Sequence, residues 1–119
     1  ISKKIFKKFI LNDGSPDGMT IDKDKNLWVA HFHGACISVF DKRARLIHKI
    51  HLPAKNVTNC TFGGQNNTEL FITTATKGLN NFDLKNFKCS GFLFSVKSNV
   101  KGLLQKKFII KNAKKRSLL

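Results

Sequence analysis

The chain has 119 residues and a formal net charge of +15, and hydrophobic residues make up 41% of it. This length suits one domain, the hydrophobic content excludes a disordered composition, and no apolar run reaches the ~20 residues of a transmembrane helix. The charge comes mostly from scattered lysines, with Arg43, Arg45 and Arg116 as the arginines, which disfavours a nucleic-acid reader but leaves that alternative open.

The first residue and the cysteines bear on where the protein works. The sequence begins at Ile1 without an initiator methionine and without the apolar region of a signal peptide. We therefore expect a cytoplasmic protein, and we interpret the given sequence as a part of a longer one. Cys36, Cys60 and Cys89 lack Cys-x-x-Cys spacing, so we expect free thiols rather than a disulfide framework or a zinc finger.

Short strands and turns are predicted from the beginning of the chain. Ile5–Ile10 is a candidate strand, and the turn-rich stretch Asn12–Gly18 is expected to form a loop. Leu27–Phe32 is apolar on both faces, so it is expected to be covered on both sides. The first group of strands is predicted at Met19–Asp22, Leu27–Phe32, Cys36–Phe40 and Leu46–Leu52.

A second copy of this strand pattern follows. Asn59–Phe62, Glu69–Thr74 and Gly91–Val96 occur in the same order, with a longer loop over Lys77–Ser90 before the last of them. A meander of four antiparallel strands is the repeating unit of a β-propeller, and a propeller closes with at least about four such blades. The sequence holds roughly two, so it is part of something longer or assembles with copies of itself.

Several ordered blocks of residues resemble one family. They are similar to the C-terminal part of the gluconolactonase / regucalcin (senescence marker protein) / luciferin-regenerating-enzyme family, and the resemblance runs from about Ile1 to Phe108. The blocks are Ser15–Asp22, Asn26–Ala30, Val57–Gly64, Leu70–Ala75, Gly91–Phe94 and Val100–Leu103. The resemblance implies an all-β, six-bladed β-propeller, of which this chain covers roughly the last two blades of four short antiparallel strands each. Residues 1–108 are then the partial propeller, and residues 109–119 a basic C-terminal tail.

The resemblance also implies an activity. The family hydrolyses sugar lactones with a divalent metal ion (Ca, Zn, Mn or Mg) in the central channel. Asp17 stands in the Pro-Asp-Gly-Met block of the family, which makes it the expected metal ligand and the general base for water. Thr58 and Asn59 occupy the places equivalent to Asp17 and Gly18 in the next blade, so they are candidates for the substrate channel. The Glu and Asn ligands of the family lie outside this sequence, so we expect the isolated chain to be inactive.

The sequence leaves two alternatives to a hydrolase open. One is a non-catalytic truncated propeller or a self-assembling module, which needs the remaining blades or copies of itself as partners. The other is a basic protein that binds nucleic acid through lysine clusters such as Lys3-Lys4 and Lys114-Lys115-Arg116.

Single residues also have structural and functional interpretations. His31 and His33 are two apart and would share a strand face that suits a transition metal, and Cys60 is a weak candidate nucleophile. His48 and His51 are expected to be exposed on an outer strand. Core packing is the expected role of the aromatic strand residues Trp28, Phe71 and Phe92.

Overall fold

The computed structural model describes residues 2–106 and contains two antiparallel sheets. The first sheet has four strands in chain order: β1 (Ser15–Ile21), β2 (Leu27–Phe32), β3 (Cys36–Phe40) and β4 (Leu46–His51). The second sheet has three strands, also in chain order: β5 (Asn56–Gly63), β6 (Glu69–Ala75) and β7 (Leu93–Lys97). A short helix α1 (Asn81–Asn86) lies between β6 and β7, where the sequence predicts only a loop.

Side chains from both sheets form one core. Trp28, Ile37 and Val39 of the first sheet and Leu70 and Ile72 of the second belong to one buried apolar cluster. The rings of Trp28 and Phe62 meet edge to face with their centroids 5.1 Å apart. This contact joins β2 to β5, so the two meanders stack face to face as neighbouring blades do.

The opposite face of the first sheet is covered by the segment that precedes it. The ring of Phe9 lies edge-on to His31 at 5.1 Å and to Phe40 at 5.7 Å. Val29 and Cys36 on the same face are each only 1% exposed. Leu27–Phe32 is therefore covered on both sides, as its sequence predicts.

Two parts of the chain differ from the prediction. Ile5–Ile10 forms no strand, because no neighbouring strand within residues 2–106 pairs with it. Asn12–Gly18 is only in part a loop: Leu11–Asp13 is a turn of 3-10 helix, and β1 begins at Ser15.

The predicted fourth strand of the second unit is also not found within residues 2–106. Instead, the chain after β7 crosses to the first sheet, where Gly102 pairs with Asp22 in an isolated antiparallel bridge. The predicted basic tail 109–119 lies outside the described residues, and the six-blade count stays a prediction. Within the described part of the chain, no helix has the length and apolar character required to cross a membrane.

Candidate metal and substrate site

The first strand of each sheet, β1 or β5, carries an irregularity near its beginning. The pairing of β1 with β2 shifts register between Pro16 and Met19, and the pairing of β5 with β6 shifts between Val57 and Asn59. A β-bulge leaves an extra residue unpaired and re-aims its side chain. Asp17 and Thr58 lie in the two shifts, so the structure places them at matching positions of the two sheets, as the sequence comparison predicts.

Gly18 and Asn59, the residues that follow Asp17 and Thr58, are in close contact. A Cβ atom added to Gly18 would lie 2.1 Å from Oδ1 of Asn59, so only a glycine lets β1 approach the Asn59 side chain this closely. Asn59 Oδ1 accepts a hydrogen bond from the Cys60 N–H at 2.9 Å. The hydroxyls of Thr58 and Thr73 are 2.8 Å apart and form a second hydrogen bond. The structure therefore brings β1 and β5 together at the predicted site.

Asp17 is an exposed acidic residue in an otherwise basic chain. Within residues 2–106 the ion pairs are Arg45–Asp41 and Lys49–Asp13, and neither involves Asp17. No residue of the described part of the chain thus neutralises its carboxylate by a direct ion pair.

The oxygen atoms at this site fit part of a ligand set for a hard divalent ion. Such ions prefer carboxylate, amide and hydroxyl or water oxygens, and Asp17, Asn59 and Thr58 carry these groups. Residues 2–106 contain no group of three or more His, Cys, Asp or Glu side chains that is able to hold a metal ion. Asp17 is therefore a single exposed carboxylate outside any such group in residues 2–106, and its role as a metal ligand stays a prediction.

The two histidines near the end of β2 do not form a metal site. His31 is 1% exposed, and its Nδ1 is 2.7 Å from the carbonyl oxygen of Asp13. His33 lies beyond the end of β2 in the left-handed region, with φ of 63°, and it is exposed. Because the chain turns between them, they do not share a strand face, and the interpretation of a paired ligand site is wrong. Burial lowers the pKa of His31.

Cys60 is unsuited to nucleophilic chemistry. Its side chain is 2% exposed, and the Sγ atom is 3.7 Å from the backbone oxygen of Trp28. Burial raises the pKa of the thiol to about 12, so the reactive thiolate is essentially absent at neutral pH. Cys36 and Cys60 are buried free thiols, and Cys89 is a half-buried free thiol, as expected from their spacing.

Most of the structural assignments of single residues agree with the structure. Trp28 is buried in the core, Phe71 is half-buried, and His48 and His51 are exposed on the edge strand β4. Phe92 is the exception: it is 59% exposed, because it precedes β7 instead of lying within it.

Sequence reasoning missed a buried carboxylate. Asp22 is fully buried and accepts hydrogen bonds from the Asn26 backbone N–H at 2.8 Å, the Asn26 side-chain amide at 2.9 Å and the Trp28 indole N–H at 2.9 Å. The spacing Asp-x-x-x-Asn-x-Trp is the signal that could have revealed it. This network closes the β1–β2 turn and thereby fixes the far end of the strand that carries Asp17.

The stacked antiparallel meanders and their neighbours among solved structures define the class of fold. The fold is similar to that of the calcium-binding protein regucalcin from Agrobacterium tumefaciens, with a TM-score of 0.76 and 23% identity over 82% of this chain and 33% of that one. A luciferin-regenerating enzyme structure matches with a TM-score of 0.68 and 34% identity, over 78% of this chain and 31% of that one. The chain is thus an all-β protein built like the blades of a regucalcin-type propeller.

Sequence comparisons identify the family. The family model for the SMP-30/Gluconolactonase/LRE-like region matches residues 2–76, and the chain belongs to that family. It is 41% identical over 96 residues to the putative sugar lactone lactonase YvrE of Bacillus subtilis, covering 80% of this chain and 33% of that protein. It is 34% identical over 104 residues to regucalcin of Danio rerio, covering 86% of this chain and 35% of that protein. The chain therefore spans about a third of the length of the curated relatives it matches.

Proposed function

We propose that this chain is the C-terminal portion of a metal-dependent sugar-lactone hydrolase, and that Asp17 is its metal ligand and general base. Membership of the SMP-30/gluconolactonase family and the similarity to a putative sugar lactone lactonase support the reaction class. The observation that carries the assignment to Asp17 is the bulge in β1, which leaves an exposed carboxylate without an ion pair next to Gly18, the residue that packs against Asn59.

Asp17 has the chemistry that lactone hydrolysis requires. A lactone is opened when water attacks the ring carbonyl, and the attacking water must lose a proton as the new C–O bond forms. The Asp17 carboxylate accepts that proton and returns it to the ring oxygen, whose bond to the carbonyl carbon breaks, so that the ring oxygen leaves as the hydroxyl of the product acid. A divalent ion bound at this site supplies Lewis-acid polarisation of the carbonyl. The regucalcin of Agrobacterium tumefaciens, which has a similar fold, is a calcium-binding protein, and this supports a divalent ion as the metal without fixing which ion it is.

The neighbouring polar side chains suit a hydroxylated substrate. Oδ1 of Asn59 is engaged by the Cys60 N–H, which leaves its Nδ2 amide to donate to a sugar hydroxyl. The Thr58 hydroxyl, paired with Thr73, is both a donor and an acceptor. We assign these side chains to orienting the substrate at the channel, and the remaining propeller blades to completing the metal ligands and the channel wall. A cytoplasmic location is part of the same proposal.

The test is lactone hydrolysis by the complete gene product in the presence of each candidate metal. Asp17→Asn keeps the shape of the side chain but removes its charge and its basicity. We expect kcat/KM to fall by at least about 100-fold, the usual loss when a general base is removed. Asp24→Asn is the matched control, because Asp24 is an exposed carboxylate in the β1–β2 turn, and it should retain activity within twofold.

Two results would contradict the proposal. Lactone hydrolysis by the Asp17→Asn protein at the full natural rate would show that Asp17 is not the general base. Activity that is unchanged after a chelator has removed divalent ions would show that the reaction does not need a metal ion. The 119-residue chain on its own is expected to be inactive, because it supplies one carboxylate of the ligand set.

A further inference from the structure

A cavity of about 500 Å³ lies at the other end of β1 and β5 from Asp17. It forms where three segments meet: the β1–β2 turn, the β5–β6 turn and the closing segment, which we define as Ser98–Leu104. Its volume lies within the range of about 300–1,000 Å³ that is typical of small-molecule sites. It is therefore large enough for a monosaccharide-sized ligand.

Hydrogen bonds fix the walls of this cavity. The Lys23 N–H donates to the Lys101 carbonyl at 2.7 Å, and the Gly102 N–H donates to the Asn67 carbonyl at 2.8 Å. The Asn67 side-chain amide donates to the carbonyls of Gly102 and Leu103, each at 3.1 Å. The closing segment is thus tied to both sheets, and the cavity is formed before any ligand arrives.

The charged groups that line the cavity have one sign. Lys23 and Lys101 line it, and no Asp or Glu is among its lining residues within the described part of the chain. Neither lysine takes part in the ion pairs found in residues 2–106. Glu69, a nearby carboxylate at the start of β6, accepts a hydrogen bond from the Ser95 hydroxyl. Two ammonium groups therefore outnumber the one nearby carboxylate, that of Glu69, which packs against the lining residue Gly64, and the net positive charge attracts an anion.

The remaining lining groups suit a hydroxylated carbon skeleton. Gln65 and Asn66 present exposed side-chain amides, which donate to and accept from hydroxyl groups. Leu103 is 41% exposed and Leu104 is 86% exposed, so both offer apolar surface for the C–H face of a ring. We propose that this cavity binds a small hydroxylated anion, a sugar acid or a sugar phosphate, whose anionic group lies between Lys23 and Lys101.

This second site is separate from the Asp17 site. Asp17 lies near the beginning of β1, whereas Lys23 follows its end. Ile21 is four positions after Asp17 along the strand, a rise of about 13 Å. An anion at Lys23 and Lys101 therefore binds without displacing a substrate at Asp17, and the proposal does not depend on the hydrolase assignment.

Calorimetric titration of the complete gene product tests this site with three probes: gluconate, glucose 6-phosphate and neutral glucose. We expect saturable binding of one or both anions and at least tenfold weaker binding of glucose. The two anionic probes distinguish a carboxylate ligand from a phosphate ligand. Lys23→Gln combined with Lys101→Gln should weaken binding of the anion at least tenfold. The double variant Lys85→Gln, Lys88→Gln removes the same charge from exposed positions outside the cavity and should change affinity less than twofold.

A second substitution distinguishes a loss of anion binding from a general loss of folding. Asn66→Asp keeps the side-chain shape at an exposed position and places a negative charge among the lining residues. It should weaken anion binding severalfold while leaving the thermal unfolding midpoint unchanged. The proposal is overturned if neither anion binds saturably, if glucose binds as tightly as the anions, or if the Lys85/Lys88 control loses as much affinity as the cavity variant.

Discussion

The two ends of strands β1 and β5 differ in the charge of their side chains and in whether another segment of the chain covers them. At the beginning of the strands, Asp17 is exposed and precedes Gly18, which packs against the amide side chain of Asn59. At the other end, Lys23 and Lys101 flank a cavity that the closing segment shuts on one side. The two ends of this pair of strands therefore differ in charge, with a carboxylate at one end and two ammonium groups at the other. The intervening residues, such as Thr20 and Cys60, are buried and serve packing.

A glycine allows close approach at each end, but the neighbour differs. A Cβ on Gly18 would meet the side-chain oxygen of Asn59 at 2.1 Å, and a Cβ on Gly102 would meet the Cβ of Phe62, also at 2.1 Å. Rotation of the Asn59 side chain moves its Oδ1 and Cγ atoms away and leaves its Cβ 2.7 Å from the added atom, whereas the Phe62 Cβ at 2.1 Å cannot be moved by rotation. The Asp17 end is therefore expected to tolerate change better than the cavity end.

The largest effect on stability is expected at the buried carboxylate of the cavity end. Asp22→Ala leaves the Trp28 indole N–H and two N–H donors of Asn26 without their acceptor. Buried unpaired donors are costly, so we expect a loss of about 3 kcal/mol in the free energy of unfolding. Denaturant unfolding of the complete gene product measures this loss. Asp24→Ala, in the same turn but exposed, should stay within about 0.5 kcal/mol, and an equal loss in both variants would refute the role given to Asp22.

The two glycines offer a direct comparison of the two ends. Gly102→Ala forces a methyl group against Phe62 and should cost about 2 kcal/mol, while Gly18→Ala displaces the Asn59 side chain and should cost about 1 kcal/mol. Thermal unfolding of both variants measures the order of the effects. A larger loss for Gly18→Ala would mean that the Asp17 end is the more rigid one.

The buried histidine predicts how stability changes with pH. Burial lowers the pKa of His31 in the folded protein below its ordinary value of 6.5. As the pH falls below about 6.5, the unfolded chain takes up a proton that the folded chain does not, so stability declines with falling pH. In His31→Asn, whose amide is able to donate to the Asp13 carbonyl, this part of the decline should disappear. His48→Asn, on the exposed edge strand, is the control; if it removes the decline equally, the origin at His31 is wrong.

The smallest expected effect is on the order in which the three cysteine thiols react. Burial raises the pKa of Cys60 to about 12, and Cys36 is also buried with a raised pKa, whereas Cys89 is half-buried. Because the thiolate is the reactive form, iodoacetamide at neutral pH should modify Cys89 first. Peptide mass spectrometry of a time course measures the order. Earlier modification of Cys60 would show that the contact between the two sheets opens readily.

The sequence predicted the strands whose pattern is local. Leu27–Phe32 and Cys36–Phe40 have the predicted bounds, because their apolar runs end at turn residues. β1 begins earlier than predicted, since Pro16 and Asp17 have the composition of a turn but lie in a strand with a bulge. Helix α1 was missed because it has only six residues, and it is preceded by the N-cap residue Asn80, whose side chain accepts a hydrogen bond from the Asp83 N–H.

Features that depend on distant contacts were beyond sequence reasoning. The equivalence of Asp17 and Thr58 was predicted from the repeat and is confirmed by the paired bulges, but the contact between Gly18 and Asn59 joins residues of different sheets. The cavity depends on the closing segment crossing to Asp22, which no local pattern encodes. The role of Asp17 as a ligand and base stays a prediction.

Divalent-metal binding to the complete gene product tests the central claim most directly. Calorimetric titration with calcium and with manganese is carried out on the natural protein, on Asp17→Asn and on Lys23→Gln combined with Lys101→Gln. The account predicts that Asp17→Asn abolishes saturable metal binding or weakens it at least tenfold, and that the lysine variant binds metal as the natural protein does. Unchanged metal affinity in Asp17→Asn would contradict the account.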